Sequence, residues 1–148
     1  MAVFRYRLQN ILNIKEQLET QAEMEFGLAK AKLNEEEDRL EALKARKLGY
    51  IEEGRKMRTD DIDVLKLAEN ERAIKIMDEL IEGQKENVRL AERAVEAARA
   101  KLTEAMKEVK SQEKLREHAF EEFVEEEKAT EAKEIDELVT YRYGQKGS

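Results

Sequence analysis

The sequence predicts an all-α protein, a two-helix antiparallel coiled-coil hairpin whose second helix is the longer one. Three observations lead to this fold class: the composition, the seven-residue spacing of apolar residues, and one break near the middle of the chain. Charged residues make up 43% of the 148 residues, aromatic residues only 5%, and Pro is absent, whereas a globular domain carries about 25% charged residues. The excess consists of Glu, Lys and Arg, which favour helices.

Helix one is predicted over residues 4–57, where two series of seven-residue period form one stripe. The first series is Leu12, Glu19, Phe26, Leu33, Leu40 and Lys47, and the second is Leu8, Lys15, Ala22, Ala29, Glu36, Leu43, Tyr50 and Met57. A stripe of this period faces a partner helix along a coiled coil. We expect its charged members to extend their charged groups to water.

A turn is predicted at residues 58–60. Gly54 weakens the end of helix one, and Thr59 or Asp60 can cap the next helix. A connection this short places neighbouring helices antiparallel. One unbroken helix that dimerises is the alternative, but two unequal stripes and a capped break favour the hairpin.

Helix two is predicted over residues 61–140, and the whole chain, 1–148, is expected to be a single domain. Its stripe combines Ile74, Ile81, Val88, Val95, Leu102, Val109, Arg116 and Phe123 with Met77, Gln84, Ala91, Ala98, Ala105, Gln112 and Ala119. With the turn near residue 59, Leu40 falls opposite Met77 or Ile81. Leu12 then falls opposite Ala105 or Val109. Helix two should extend beyond helix one by about 25 residues, or nearly 40 Å.

This overhang is acidic and also apolar. Residues 111–138 contain eleven acidic and four basic residues, which accounts for the net charge of −7. The overhang also carries apolar residues that the hairpin is expected to leave without a partner: Phe120, Phe123, Val124, Ile135, Leu138 and Val139. Exposed apolar surface on a helix indicates a binding site. Alternatively, Phe4, Tyr6 and Leu8 pack with the two Phe residues and close the open end, and both interpretations can hold together.

Other classes of function are disfavoured. The chain has no Cys and no Gly-rich phosphate loop, and no Ser lies near its single His, so neither an enzyme nor a cofactor is expected. His118 is flanked by Glu117, Glu121 and Glu122, but no second His or Cys completes a metal site. The negative charge argues against nucleic acid. Neither a signal peptide nor a membrane-spanning segment is predicted, so a cytoplasmic protein is expected.

The two ends of the chain carry distinctive motifs. The opening segment is Phe4-Arg-Tyr-Arg-Leu-Gln-Asn-Ile-Leu-Asn-Ile-Lys-Glu16, with an aromatic residue, Leu-Gln, two aliphatic residues and Lys-Glu. The other end contains Glu113-Lys-Leu-Arg-Glu117, Phe123, Glu125-Glu126, Lys128 and Lys133-Glu-Ile-Asp-Glu137. These segments resemble the N-terminal and C-terminal patterns of the FliJ family of flagellar export proteins. The middle matches only in its heptads and its length.

The resemblance implies an antiparallel coiled coil similar to the central stalk of rotary F-type and V-type ATPases. It implies that the end bearing both termini inserts into the hexameric flagellar export ATPase, FliI, and promotes its assembly and activity. It further implies contacts with the membrane export gate FlhA and with export chaperones, peripheral association with the inner face of the cell membrane through the export apparatus, and a role in motility and chemotaxis. No direct membrane insertion is expected, and the protein should be a monomer.

The same resemblance assigns two sets of contact residues. The ATPase-binding set is Phe4, Arg5, Tyr6, Arg7, Leu8, Gln9, Arg116, Phe120 and Phe123. The set for the export gate is Leu43, Tyr50 and Leu65. The heptads alone leave open a structural coiled-coil scaffold, which would form a constitutive dimer, and a stalk subunit of a rotary ATPase. The two terminal motifs favour the export protein over both.

Overall fold

The computed structural model describes residues 2–59 and 61–146, and it contains two helices. Helix α1 spans Gln9–Met57, 49 residues, and helix α2 spans Val64–Lys146, 83 residues. The helices pack against each other in antiparallel directions, and the described residues form no strand. The predicted fold class, an all-α hairpin with a longer second helix, is therefore confirmed.

Helix α1 begins later than predicted, at Gln9 rather than at Phe4. The first helical hydrogen bonds run from the Gln9 amide to the Tyr6 carbonyl and from the Leu12 amide to the Leu8 carbonyl, both 3.1 Å. From residue 4 to residue 8 the side chains alternate between half-buried and exposed. Such alternation is typical of extended backbone. Residues 2–6 are non-helical, and Arg7 and Leu8 lie in the turn that leads into α1, so Phe4 and Tyr6 contact α2 from a non-helical segment.

The turn and the start of α2 also differ from the prediction. The Thr59 hydroxyl donates back to the Lys56 carbonyl at 2.8 Å instead of capping α2, and Asp60 lies outside the described residues. The cap is Asp63, whose carboxylate accepts the amide hydrogens of Leu65 at 3.1 Å and Lys66 at 3.3 Å. A side-chain acceptor placed there satisfies donors that the helix itself leaves free. Helix α2 consequently starts at Val64 rather than at residue 61, and it continues to Lys146 rather than ending near 140.

The chain divides into two compact units, residues 21–102 and residues 1–20 with 103–148. In the first unit the buried apolar residues are Ala22, Met77, Ile81, Ala91 and Val95, and in the second they are Leu12 and Val109. These residues all belong to the predicted stripes. No helix in the described part of the chain is long and apolar enough to cross a membrane.

Within the unit 21–102 the helices are aligned by polar contacts. The side-chain amide of Gln84 donates to the Glu36 carbonyl at 2.9 Å. Leu40 lies one helical turn after Glu36, and Ile81 lies one turn before Gln84. In antiparallel helices these two residues therefore come opposite each other, which agrees with the predicted register. In the unit of residues 1–20 and 103–148, which we call the terminal unit, Lys15 pairs with Glu108 at 2.9 Å. Leu12 and Val109, close to this ion pair in sequence, are both buried.

Gly54 has a different role from the one predicted. It lies in the last turn of α1, as predicted, but it is buried. The side chain of Asn70 lies against it and donates to the Tyr50 carbonyl at 2.8 Å, and a Cβ atom at residue 54 would overlap the Asn70 amide. Glycine is therefore needed here because the two helices approach closely.

Glu36 does not extend to water as predicted but is buried, with 4% of its surface exposed. Its carboxylate accepts a hydrogen bond from Gln84 at 2.5 Å and forms ion pairs with Lys32 at 3.0 Å and Arg39 at 3.3 Å. The hydrogen bond from Lys32, followed by that from Gln84, lowers the pKa of Glu36 in spite of its burial. A buried carboxylate is tolerated where its charge and its lone pairs find such partners.

Candidate protein-docking surfaces

Three phenylalanines form an aromatic cluster, Phe4, Phe120 and Phe123, in the terminal unit. The Phe4 ring meets Phe120 edge-on with ring centroids 5.2 Å apart, and it meets Phe123 at 5.5 Å in a tilted arrangement. Both geometries are favourable for aromatic pairs. The prediction that Phe120 and Phe123 have no partner within the chain is therefore wrong, because the N-terminal segment crosses over to contact them.

The aromatic cluster is only partly shielded from water. Phe4 and Phe123 are half-buried, while Phe120 keeps 48% of its surface exposed. A shallow groove runs beside the cluster and is lined by Phe4, Phe120, Arg116, Glu113 and Glu117. The cluster thus closes this end of the coiled coil and also presents an aromatic surface with charged edges, so the two interpretations of these residues are compatible.

Tyr6 holds the N-terminal segment at a second point. Its hydroxyl donates to the Gln112 side-chain oxygen at 3.1 Å. Arg5 and Arg7, on either side of Tyr6, are exposed. The segment therefore packs its aromatic side on α2 and directs two cations to solvent.

The remaining members of the predicted ATPase-binding set lie nearby. Leu8 and Gln9 are half-buried at the start of α1, where the side-chain amide of Gln9 donates to the side-chain oxygen of Asn13 at 2.9 Å. Arg116 belongs to the predicted stripe but is exposed. All nine residues of the set belong to the terminal unit.

Helix α2 continues past the aromatic cluster as far as Lys146. Val124 is half-buried, and the apolar side chains from Ile135 onward are exposed. Ile135, Leu138 and Val139 keep 62%, 55% and 51% of their surfaces exposed. They line a shallow groove whose edges are Glu131, Glu134 and Arg142. Tyr141 and Tyr143, which the sequence analysis did not single out, are also exposed. The acidic stretch of α2 therefore carries an apolar surface.

The residues predicted to bind the export gate lie in the unit 21–102, in two different environments. Leu43 and Tyr50 are half-buried on the face of α1 that packs on α2, and the Tyr50 carbonyl accepts the Asn70 amide. Leu65 lies in the first turn of α2 and is 71% exposed. Its exposed neighbours include Ile62 and Val64. Leu65 is accessible to a partner, whereas Leu43 and Tyr50 also contribute to packing.

His118 lies on the exposed side of α2, next to acidic side chains. Its Nδ1 atom is 3.9 Å from a Glu121 carboxylate oxygen. Among the described residues, no group of three or more His, Cys, Asp or Glu side chains is arranged to hold a metal ion. His118 is therefore a surface residue on an acidic face of α2.

Comparison with known proteins identifies one family. The family model described as "Flagellar FliJ protein" matches residues 4–148. A solved structure described as a YscO homolog from Chlamydia trachomatis is similar to this chain, with a TM-score of 0.53 and 26% sequence identity, over 95% of this chain and 96% of the other. The search of curated proteins found no match.

Proposed function

Because this chain belongs to the family of the flagellar FliJ protein, we propose that it is a non-enzymatic component of flagellar type III protein export. In this function its terminal unit binds the hexameric export ATPase, FliI, as a central stalk and promotes assembly and activity of the hexamer. The unit 21–102 links the ATPase to the membrane gate FlhA and to export chaperones. The similarity to a YscO homolog supports the assignment to type III export.

The observation that carries this proposal is the half-open aromatic cluster at the chain ends. Phe4, Phe120 and Phe123 pack on one another, yet Phe120 remains 48% exposed beside a groove. Large aromatic side chains that are held rigidly and remain accessible are the usual anchors of protein interfaces. A partner that covers this surface would bury the exposed part of Phe120 without having to order it first.

Charge complements the aromatic surface. The segment from residue 111 to residue 138 carries the net charge of −7, and nearly all its acidic residues are exposed. A ring of basic side chains on a hexamer would attract this segment over a distance of about 8–10 Å at physiological salt. Association with the ATPase should therefore slow as the salt concentration rises.

Contact with the export gate is proposed for Leu65, with Leu43 and Tyr50 beside the helix seam. Leu65 is highly exposed near the hairpin turn, so it can enter an interface without disturbing the fold. Substitution of Leu43 or Tyr50 would also loosen the packing on α2. For this reason only Leu65→Asp separates binding from stability in a gate-binding assay.

The proposed function is tested by measuring ATP hydrolysis by the purified hexamer with and without this protein. We expect the wild-type chain to stimulate hydrolysis and Phe123→Asp to abolish the stimulation, because a carboxylate in the aromatic cluster would be desolvated by the partner. Met24→Asp is the matched control: it places the same charge on a side chain that is 65% exposed in the other unit, and it should stimulate as well as wild type.

Two results would count against the proposal. One is a wild-type chain that leaves the ATPase rate unchanged at saturating concentration. The other is a constitutive dimer of the chain in light scattering, which would favour a structural scaffold over a stalk. Circular dichroism of Phe123→Asp shows whether the helices persist, so that lost stimulation is not confused with unfolding.

A further inference from the structure

Helix α2 carries a second apolar stripe beside the one that packs on α1. We call it the outer stripe, and its members alternate in steps of four and three residues: Ile76, Leu80, Gly83, Asn87, Leu90, Ala94 and Ala97. Steps of four and three residues make a seam that faces a neighbouring helix in a coiled coil. Helix α1 already occupies the first seam of α2, through Met77, Ile81, Ala91 and Val95. A helix with two such seams can pack against two neighbouring helices, one on each seam.

The described residues of this chain leave the outer stripe uncovered. Ile76, Leu80 and Leu90 keep 46%, 47% and 53% of their surfaces exposed, and Ala94 and Ala97 are exposed too. A Cβ atom placed on Gly83 would meet nothing within 4 Å. The small side chains at three of the seven positions leave room for the backbone of another helix to approach closely.

Helix α1 gives the outer stripe a basic edge. The Glu25–Lys101 ion pair, 3.4 Å long, shows which residues of the two helices lie across from each other on this side. Moving by heptads from this pair brings Lys32, Arg39 and Arg46 across from Ala94, Asn87 and Leu80 in turn. We call these three cations the α1 edge.

The α1 edge retains capacity to bind an acidic partner. Lys32 and Arg39 form ion pairs with Glu36 and Glu35 of their own helix, but both side chains are 56% exposed and keep further N–H donors. Arg46 is exposed as well. The far edge of the stripe, formed by α2 itself, carries Arg72, Glu79, Glu86 and Arg93 and is balanced in charge. The positive charge of the α1 edge therefore favours a partner with negatively charged side chains.

We propose that the outer stripe binds an amphipathic α-helix of another protein, with acidic residues flanking its apolar face. The steps of four and three residues select a helix rather than a strand or a loop. The exposed leucines and isoleucine supply the apolar contact, Gly83 and the alanines permit a short interhelical distance, and the α1 edge selects carboxylates. This interaction does not depend on the terminal surface proposed to bind the ATPase.

The test uses two synthetic peptides of about four heptads, long enough to form a helix on the stripe. Both have leucine and alanine at the apolar positions, but one carries Glu and the other Lys along its flanks. Fluorescence anisotropy with labelled peptide measures binding to the full chain. We expect the Glu-flanked peptide to bind at least about ten-fold more tightly than the Lys-flanked peptide.

Variants of the chain connect the binding to the residues named. Leu80→Glu should abolish binding of both peptides. Arg46→Glu, at the cation of the α1 edge that is not an ion-pair partner of the buried Glu36, should reduce the preference for the Glu-flanked peptide. Met24→Glu, on an exposed position outside the stripe, should change neither. Circular dichroism and ATPase stimulation should be retained in all three, which distinguishes this surface from the terminal one.

Three outcomes overturn the inference: neither peptide binds, both bind equally, or binding survives Leu80→Glu. A fourth is self-association of the wild-type chain that Leu80→Glu abolishes in sedimentation, because the stripe would then be covered by a second copy. Each of these results can be obtained whether or not the chain stimulates the ATPase.

Discussion

The side-chain amide of Gln84 donates to both the backbone carbonyl and the carboxylate of Glu36, at 2.9 Å and 2.5 Å. The amide oxygen of Gln84 is in turn held by Asn87 at 3.1 Å. Two heptads away on each helix, Asn70 donates to the Tyr50 carbonyl in the same way. Polar residues in an otherwise apolar seam commonly restrict a coiled coil to one register at some cost in stability.

Loss of the Gln84 amide should destabilise the hairpin. In Gln84→Ala the buried Glu36 loses a donor and a small cavity remains, and we expect the melting temperature to fall by roughly 3–8 °C. Replacing both partners, as in Glu36→Leu with Gln84→Leu, should recover this loss or exceed it, because matched apolar residues need no hydrogen bonds. Thermal unfolding followed by circular dichroism measures both. A double variant less stable than Gln84→Ala would contradict the explanation.

Stability should also decrease in acid through Glu36. Its pKa is lowered in the folded protein, chiefly by the Lys32 and Gln84 hydrogen bonds. The carboxylate therefore stabilises the fold fully above the unfolded-state pKa, about 4.3 for glutamate, and this stabilisation is lost as the pH falls through the lower folded pKa. Urea midpoints measured from neutral pH into this acid range should drop less steeply in Glu36→Gln than in wild type.

Gly54→Ala should destabilise the protein although alanine is the better helix former. The new methyl group would overlap the Asn70 amide and displace it from the Tyr50 carbonyl. Gly49→Ala is the matched control, because a Cβ atom there meets nothing within 4 Å, and it should stabilise the protein by about 0.5–1 kcal/mol. Denaturant unfolding compares the two. Equal gains in both variants would show that the approach of Asn70 to residue 54 imposes no constraint.

Phe4→Ala should release the N-terminal segment without unfolding the helices. The ring is the contact that joins this segment to Phe120 and Phe123, so its loss leaves the Tyr6–Gln112 hydrogen bond as the remaining attachment among those described. Amide hydrogen exchange in the first turn of α1 should accelerate by roughly ten-fold or more. Exchange around Ile81 and Val95, which lie in the other unit, should remain unchanged.

The hairpin could be predicted because heptad spacing and turn residues act locally. Leu40 and Ile81 lie opposite each other as the position of the turn required, and α1 ends at Met57 as predicted. The error at the start of α2 has a local cause. Asp63, not Thr59, caps α2, because any of several polar residues in that stretch could have served.

The candidate site could be predicted in its residues but not in its geometry. The sequence identifies Phe4, Tyr6 and Leu8, but it predicts a helix from residue 4, whereas residues 4–8 precede α1. The alternation of apolar and charged residues in Phe4-Arg-Tyr-Arg-Leu8 was the available signal, since extended backbone has a period of two. The burial of Glu36 had no such signal, because its partner Gln84 lies 48 positions away in the chain.

The two carboxamide contacts have a consequence for how this chain can change its length in evolution. Tyr50 and Asn70 define one contact, Glu36 and Gln84 the other, and fourteen residues separate them on either helix. An insertion between them in only one of the two helices would move the Asn70 or Gln84 side-chain amide away from the backbone carbonyl that it contacts. Homologues should therefore gain or lose residues there in matched multiples of seven. The stretch beyond Phe123 faces no helix among the described residues, so its length should vary one residue at a time.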